Sequence, residues 1–263
     1  MSTPAQPTST SPAPDDGAQS RQQVAELVAR LSSEEMDAST RRRLLAKLSA
    51  AVATSARTAG SVAVLGGRWL VDLFVDVAPR IPVRDAETLR DHYDGLTGEA
   101  LADQLVVTAG RATGLVGAAG GALAAVEWAA PPLLLSMPIQ VATETLVVAA
   151  IETKLVAELS EAYGVGVEGS GTERGLAYVQ SWAERRGVDP LNPLTFSHGL
   201  SGVAKRSLRN RLLARSGRML TTYGPFLTGA VVGATVNRSE TRKLGDKVRA
   251  DLRRRAGTNS ATR

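Results

Sequence analysis

The chain has 263 residues, a formal net charge of +5 and no cysteine, and aromatic residues make up only 4% of it. The absence of cysteine excludes a disulfide framework, a thiol nucleophile and cysteine-ligated zinc. Because aromatic residues are so few, the core must be built from Ala, Val and Leu, a composition that favours close-packed helices over a sheet. We therefore predict an all-α fold, a multi-helix bundle that forms one domain over residues 21–255.

The N-terminal part of the sequence predicts a polar tail followed by amphipathic helices. Residues 1–20 are rich in Ser, Thr and Pro, so we expect a disordered tail. This tail lacks the basic start and apolar core of a signal peptide, and a cytoplasmic location is expected. Helices are predicted over residues 21–31, 39–58 and 61–77, with a short helix or turn over residues 85–93. Ser32 and Glu35 have the spacing of a capping box.

The most apolar stretch, residues 97–164, predicts an antiparallel hairpin of two long helices. They are expected at about 98–129 and 139–163, on either side of a Pro-Pro pair, and Glu127 is the only charged residue between positions 112 and 143. For a membrane span, the apolar gain of roughly 0.3 to 0.6 kcal/mol per Leu or Val only balances the cost of Glu127 and the prolines. A single span is therefore not favoured, and a hairpin in the membrane interface or buried in protein fits better.

Small residues in this hairpin recur four positions apart, which places them on one helix face where a second backbone can approach closely. Each Gly in a helix costs roughly 1 kcal/mol relative to Ala, so close packing must compensate. We predict that the two hairpin helices pack against each other through this face; pairing with a second subunit is also open. The candidate helix-packing glycines, with a similar pair near the C-terminus, are Gly110, Gly114, Gly117, Gly121, Gly229 and Gly233.

Three carboxylates, Glu127, Glu144 and Glu152, lie in apolar helical surroundings. An unpaired buried carboxylate is costly, so we predict that Glu127 is paired and that such residues form salt bridges to an arginine such as Arg111 or Arg68. The alternative is a proton-linked or ion-binding site between helices.

No motif of the sequence indicates a catalytic or cofactor site. The GxGxxG pattern of residues 164–169 follows a helix rather than a strand, which predicts a helix end and a flexible loop. Ser201 is interpreted as a helix N-cap and His198 as a loop residue, and His92 is the only other histidine. We therefore predict no catalytic residue, no cofactor and no metal site.

The basic residues are concentrated at the C-terminus. Residues 1–199 hold 16 Lys/Arg and 23 Asp/Glu, a net −7, whereas residues 200–263 hold 15 Lys/Arg and 3 Asp/Glu, a net +12. Such a segment implies an anionic counterpart: the acidic N-terminal part of the same chain, an anionic membrane surface, or nucleic acid.

This C-terminal segment follows a predicted helix over residues 172–186. Basic helices are expected at about 201–218 and 239–255, separated by an apolar segment at 226–236 and followed by a frayed end at 256–263. A narrow apolar stripe within a basic face suits an anionic membrane surface. The candidate residues for that contact are Lys205, Arg206, Arg209, Arg211, Arg215, Arg218, Arg242 and Lys243.

Two segments of the sequence resemble the EcsC protein family. Residues 144–164 resemble its central helix, a long apolar helix that ends at a Tyr-Gly pair. Residues 229–252 resemble its C-terminal signature, represented here by Gly229, Gly233, Asn237, Arg238, Thr241, Arg242 and Gly245. The resemblance covers the second half of the chain and leaves the N-terminal hundred residues out. It implies a bacterial protein associated with a membrane and implies no chemistry.

We therefore expect a non-catalytic, membrane-associated helical protein at the cytoplasmic face of the inner membrane. Its expected partner is an anionic membrane surface, and a homo-oligomer or a helical protein partner is left open. The alternative is a soluble helical adaptor whose basic C-terminal region binds an acidic protein or nucleic acid. Nucleic acid is the less favoured partner because no known DNA- or RNA-binding motif accompanies the basic helices. An enzyme that uses the buried glutamates is the least favoured class.

Overall fold

The computed structural model describes residues 16–33, 36–60, 68–128, 137–167, 169, 171–186 and 225–261. Within these residues the chain forms eight α-helices and no strand, which confirms the predicted all-α class. The helices are α1 (Asp16–Leu31), α2 (Ala38–Ala59), α3 (Arg68–Val77), α4 (Ala86–His92), α5 (Gly98–Trp128), α6 (Met137–Ala162), α7 (Gly171–Arg185) and α8 (Pro225–Ala261). A 3-10 turn, Ala78–Arg80, follows α3.

The N-terminal helices α1, α2 and α3 pack through the apolar stripes that their sequences predict. Val24, Val28 and Leu31 of α1 are fully buried, and α1 contacts both α2 and α3. Arg41 of α2 is buried as well, and its guanidinium donates to the carbonyl oxygen of Leu31 at 3.1 Å. Burial lowers the pKa of Arg41. The carbonyl groups at the C-terminal end of α1 are a favourable place for this cation because they carry the negative end of the helix dipole.

The start of the first helix and the N-cap of the second differ from the predicted ones. Helix α1 begins at Asp16, so residues 16–20, predicted to belong to a disordered tail, are helical. Helix α2 is capped by Asp37, whose carboxylate accepts hydrogen bonds from the backbone N–H groups of Ser39 at 2.8 Å and Thr40 at 2.9 Å. Ser32 instead donates to the carbonyl of Ala29 at the end of α1, so its capping-box interpretation is wrong.

Helix α6 is the centre of the bundle. Every residue from Ala142 to Ser160 is buried, and the helix contacts each of the other seven described helices. A helix that is apolar on all faces, with few exceptions, needs such an all-round environment. It ends in a Schellman motif, in which Gly164 has a φ of +67° and Val165 N–H donates to the carbonyl of Ser160 at 2.9 Å.

Helices α5 and α6 form the predicted antiparallel hairpin. The end of α6 lies beside the start of α5, as shown by the hydrogen bond that the hydroxyl of Tyr163, just after α6, donates to the carboxylate of Glu99 at 2.7 Å. Among the described residues, no helix combines the length and the apolar character needed to cross a bilayer.

Helix α8 is one continuous helix of 37 residues, although the sequence predicted an apolar segment, a separate basic helix and a frayed end from residue 256. It runs antiparallel to α5 over about five turns. The order of contacts shows this direction, since Gly233 meets Gly117, Arg242 meets Gly110, and Arg253 meets Glu99. Its apolar stripe of Leu244, Val248 and Leu252 is buried as the sequence predicts.

Candidate functional site

The core of the bundle contains four charged side chains of the central helix. Glu144, Glu152, Lys154 and Glu158 are between 1% and 7% exposed. A charge removed from water is strongly unfavourable unless it is paired and hydrogen-bonded. The partners of these groups therefore show which other helices the central helix holds in place.

Glu152 joins α6 to α7 and to α8. One carboxylate oxygen accepts from the indole N–H of Trp182 at 3.0 Å and from Nε of Arg186 at 3.1 Å. The other oxygen accepts from Nη2 of Arg186 and from the hydroxyl of Thr241 at 3.0 Å. The two-point contact with Arg186 is the strong geometry for a guanidinium and a carboxylate.

Glu158 joins α6 to the segment that precedes α4. Its carboxylate accepts from Arg84, through Nε at 2.8 Å, Nη2 at 3.0 Å and the backbone N–H at 3.3 Å. Lys154, one turn earlier on the same helix, donates to the same carboxylate. Two cations thus lie against one buried carboxylate, while their own side chains are 18% and 6% exposed.

Glu144 joins α6 to α8 a second time. Nδ2 of Asn237 donates to its carboxylate at 3.0 Å. Asn237 and Thr241 are one turn apart on α8, so consecutive turns of that helix are hydrogen-bonded to Glu144 and Glu152 of the central helix. We call these two contacts the α8 latch.

Glu152 forms the predicted salt bridge to an arginine, but its partner is Arg186 and not Arg111. Arg111 is exposed at the surface of α5. The side chains of Arg68 and Glu127 lie outside the described residues, and so does the prediction that Glu127 is paired. Glu158 is a buried carboxylate that was not predicted; the signal for it in the sequence is the Lys-Glu pair at i, i+4 in an otherwise apolar helix.

The glycine face of α5 packs against α8. A Cβ atom added at Gly117 would lie 2.6 Å from the carbonyl carbon of Gly233 and 2.8 Å from Nδ2 of Asn237. One added at Gly114 would lie 3.3 Å from the carbonyl oxygen of Ala234. The absence of side chains therefore lets the two backbones touch, as the small-residue spacing indicates.

This contact corrects the predicted packing of the hairpin, in which α6 was expected to cover the glycine face. Helix α6 instead contacts the opposite, aliphatic side of α5, where Leu105, Ala109 and Ala112 lie close to Ile151 and Leu155 of α6. Aliphatic side chains bury more apolar area against the central helix α6 than glycines would. The glycine face is left to α8, the helix whose backbone approaches α5 most closely. Gly121 and Gly229 lie where the structure describes no side-chain surroundings.

The end of the α5–α8 contact nearest the start of α5 is a network of ion pairs. Glu99 accepts from Arg249 at 2.7 Å and from Arg253 at 2.6 Å, and Asp103 also pairs with Arg249. Hydrogen bonds from Arg253, Arg249 and Tyr163, in that order of importance, hold the pKa of Glu99 well below its ordinary value. Part of the C-terminal basic excess is therefore neutralised by acidic residues of the same chain.

Further along the same contact lies a group of arginines, which we call the arginine cluster: Arg111, Arg238 and Arg242. A Cβ atom at Gly110 would lie 3.2 Å from Cγ of Arg242 and 3.6 Å from Cγ of Arg238, so both stems cross this glycine. Arg111 follows Gly110 and is exposed, as is Arg238, while Arg242 is half-buried. None of the three side chains forms an ion pair or hydrogen bond with a residue that the structure describes.

Most of the predicted anionic-surface residues lie outside the described ranges: Lys205, Arg206, Arg209, Arg211, Arg215 and Arg218. Lys243 is described; its side chain is 73% exposed and pairs with Glu240 at 3.2 Å. Arg242 belongs to the arginine cluster. Arg111 and Arg238 were not predicted for this role, because only the pairing of α5 with α8 brings position 111 beside positions 238 and 242.

The two groups of charges differ in what they can do. The buried carboxylates hold helices together, and the cavity beside Lys154 and Glu158 has a volume of about 10 Å³, room for about one water. The arginine cluster faces solvent, and its donors are available to an anion. Comparison of the chain with protein-family models, with curated proteins and with solved structures found no match.

Proposed function

We propose that the protein is a non-catalytic helical protein of the EcsC type that associates with an anionic membrane surface from the cytoplasmic side. The observation that carries this proposal is the charge on α8. This helix has eight Lys and Arg and three Asp and Glu. Four of its cations pair with acidic residues, and the other four form no ion pair with a described residue: Arg238, Arg242, Lys247 and Arg255.

Unpaired cations on one helix raise its own electrostatic energy, since like charges one turn apart repel. An anionic surface relieves this repulsion, and each Lys or Arg near such a surface contributes about 1 kcal/mol to binding. The hairpin next to α8 adds an apolar sequence with one charged residue between positions 112 and 143. Cations beside an apolar element are typical of proteins that bind at the membrane interface.

The use of the buried carboxylates supports a structural role for the core. The carboxylate oxygens of Glu152 and Glu158 accept hydrogen bonds from arginines and from Trp, Thr or Lys donors. A general base needs an oxygen that faces a substrate, and these oxygens face the neighbouring helices.

The EcsC part of the proposal is supported by the contact between the two segments that resemble the family. The α8 latch joins residues 144–164 to residues 229–252, because Asn237 donates to Glu144 and Thr241 donates to Glu152. The two segments that resemble the family are thus hydrogen-bonded to each other.

The test is cell fractionation followed by a high-salt wash of the membrane pellet. A pellet fraction that salt releases supports surface binding, because salt screens charges beyond about 10 Å at 0.1 M. Retention in the pellet after the wash indicates insertion of an apolar element. A protein that stays in the supernatant throughout contradicts the proposal and favours a soluble adaptor with an acidic protein or nucleic acid as its partner.

A further inference from the structure

We infer that the arginine cluster binds the phosphate of an anionic phospholipid headgroup and places the α5–α8 contact against the bilayer. This inference rests on the proposed function and names the site that performs it. Arg111 follows Gly110 on α5, and the side-chain stems of Arg238 and Arg242 pack on Gly110 from α8; Arg111 and Arg238 are exposed and Arg242 is half-buried. Guanidinium groups bind phosphate oxygens through paired N–H donors, so such a cluster matches a phosphodiester.

The arginine stems are ordered by the glycines beneath them. Gly110 and Gly114 leave a shallow surface on α5, and the stems of Arg238 and Arg242 lie across it at 3.2 to 3.6 Å from where a Cβ atom would be. A side chain that is already packed loses less rotamer entropy when it binds a ligand. The cluster is therefore better prepared for an anion than arginines that extend freely into water.

Among the described residues, the acidic side chains that flank the cluster on α5 and α8 leave it positive. Asp103, two turns before Arg111 on α5, pairs with Arg249, and Glu240 pairs with Lys243 and lies 3.9 Å from Arg186. Asp246 is one turn after Arg242, is exposed, and forms no ion pair with a residue that the structure describes. The net balance around Gly110 stays cationic even when Asp246 is counted.

Exposed apolar side chains continue from the cluster in one direction. Leu115 is 43% exposed and lies one turn beyond Arg111, and Val231 is 61% exposed and lies two turns before Arg238. Because α5 and α8 are antiparallel, both lie towards the same end of the helix pair. Their offsets are roughly 6 and 10 Å along the axes, which matches the 5–10 Å depth of interfacial apolar groups. Neighbouring cationic and apolar surfaces of this kind favour a lipid, which has both a phosphate and acyl chains. Nucleic acid has phosphates but no acyl chains.

The test uses the full-length protein and vesicles of phosphatidylcholine with or without phosphatidylserine, and measures binding by co-sedimentation. The variant Arg111→Gln/Arg238→Gln/Arg242→Gln is compared with the control Arg42→Gln/Arg43→Gln/Arg57→Gln, which removes the same charge from exposed positions of α2. A second comparison sets Leu115→Gln/Val231→Gln against Val75→Gln/Leu176→Gln, since Val75 and Leu176 are each 43% exposed elsewhere.

We expect the arginine-cluster variant to bind phosphatidylserine vesicles on the order of 100-fold more weakly, about fivefold for each cation, and the α2 control to lose much less. The Leu115/Val231 variant should also bind more weakly than its control. Thermal unfolding of each variant checks its folding. If the triple variant unfolds, the single variant Arg111→Gln is compared with wild type instead. The side chain of Arg111 is exposed, so this substitution should not disturb the fold.

The outcomes separate the two proposals. If the wild-type protein does not bind phosphatidylserine vesicles, the membrane function is overturned, and the site with it. If the wild-type protein binds but the cluster variant and the α2 control weaken equally, only the site is overturned. If the cluster variant keeps vesicle binding but loses binding to an oligonucleotide, the cluster serves nucleic acid and the lipid assignment is wrong.

Discussion

At the scale of single residues, the contact between Gly117 and Gly233 shows what the small residues of α5 and α8 do. Any side chain at either position would overlap the backbone of the partner helix. Gly110 is different, because its nearest neighbour is the flexible stem of Arg242 at 3.2 Å from the position of a Cβ atom. Two glycines on one helix face therefore have different tolerance for the same substitution.

We predict that Gly117→Ala lowers the free energy of unfolding by about 1–3 kcal/mol, since the added methyl group forces the two backbones apart. Gly110→Ala serves as the matched control. It gains up to about 1 kcal/mol of helix propensity, and the Arg242 stem can move, so its stability should change little or rise. Urea denaturation of both variants measures the difference. Equal stabilities would show that the backbones are not in contact at Gly117.

At the scale of elements, α8 is attached to the bundle by three kinds of contact along its length. Glycine backbones meet near Gly233, the α8 latch follows at Asn237 and Thr241, and ion pairs to α5 form at Arg249 and Arg253. Of these three kinds of contact, only the ion pairs depend on a half-exposed carboxyl group, that of Glu99. Acid should therefore weaken the attachment of α8 first at this end.

The pKa of Glu99 is depressed in the folded protein, and this fixes the direction of its pH dependence. A group of this kind contributes stability above its unfolded pKa of about 4.3 and loses it as the pH falls towards the folded value. We predict that Glu99→Gln lowers the free energy of unfolding at pH 7 modestly, by up to about 1 kcal/mol per pair. The difference from wild type should shrink below about pH 4.

The measurement is denaturant unfolding of wild type and Glu99→Gln between pH 3 and pH 7. Glu87→Gln, at an exposed glutamate of α4, is the control for loss of one negative charge. Added salt should also reduce the effect of Glu99→Gln, because the pairs are partly solvated. A difference that stays constant down to pH 3 would contradict the assignment of these ion pairs.

At the scale of the whole molecule, the buried helix α6 makes the bundle a single cooperative unit. It contacts the seven other described helices, and Glu152 alone holds Arg186, Trp182 and Thr241, which belong to the α7 and α8 parts of the structure. Loss of this carboxylate removes the two-point partner of the half-buried Arg186 guanidinium and leaves it with Glu240, at 3.9 Å.

We predict that Glu152→Gln lowers the free energy of unfolding by about 3 kcal/mol. This value is at the lower end of the range for a broken buried ion pair, because the side chain of Arg186 is still 17% exposed. Amide hydrogen exchange should become faster in both α7 and α8, since the same carboxylate holds both. Glu184→Gln, at an exposed position of α7, is the matched control. Faster exchange confined to one of the two helices would contradict the joint role of Glu152.

Much of the fold is determined by local patterns of the sequence. The predicted bounds of α2, α5 and α6 agree with the structure within two residues at each end, because a change of apolar period, a glycine or a proline marks these ends. The apolar stripes of α1 and α8 predict their buried faces correctly for the same reason. Local patterns failed where a helix continued through a Gly-containing apolar segment, as α8 does from Pro225.

The tertiary structure alone decided which helix covers which face. The spacing of Gly110, Gly114 and Gly117 requires a close neighbour, but α6 and α8 both offer long helices, and only packing of the whole bundle selected α8. The tertiary structure also decided which charges pair. A carboxylate in an apolar helix needs a cation as its partner, but that cation can come from any part of the chain. Arg186 lies 34 residues from Glu152, and Arg238 lies more than 120 residues from Arg111. Sequence spacing reports neighbours within one helix turn, whereas such pairs depend on how separate helices meet in space.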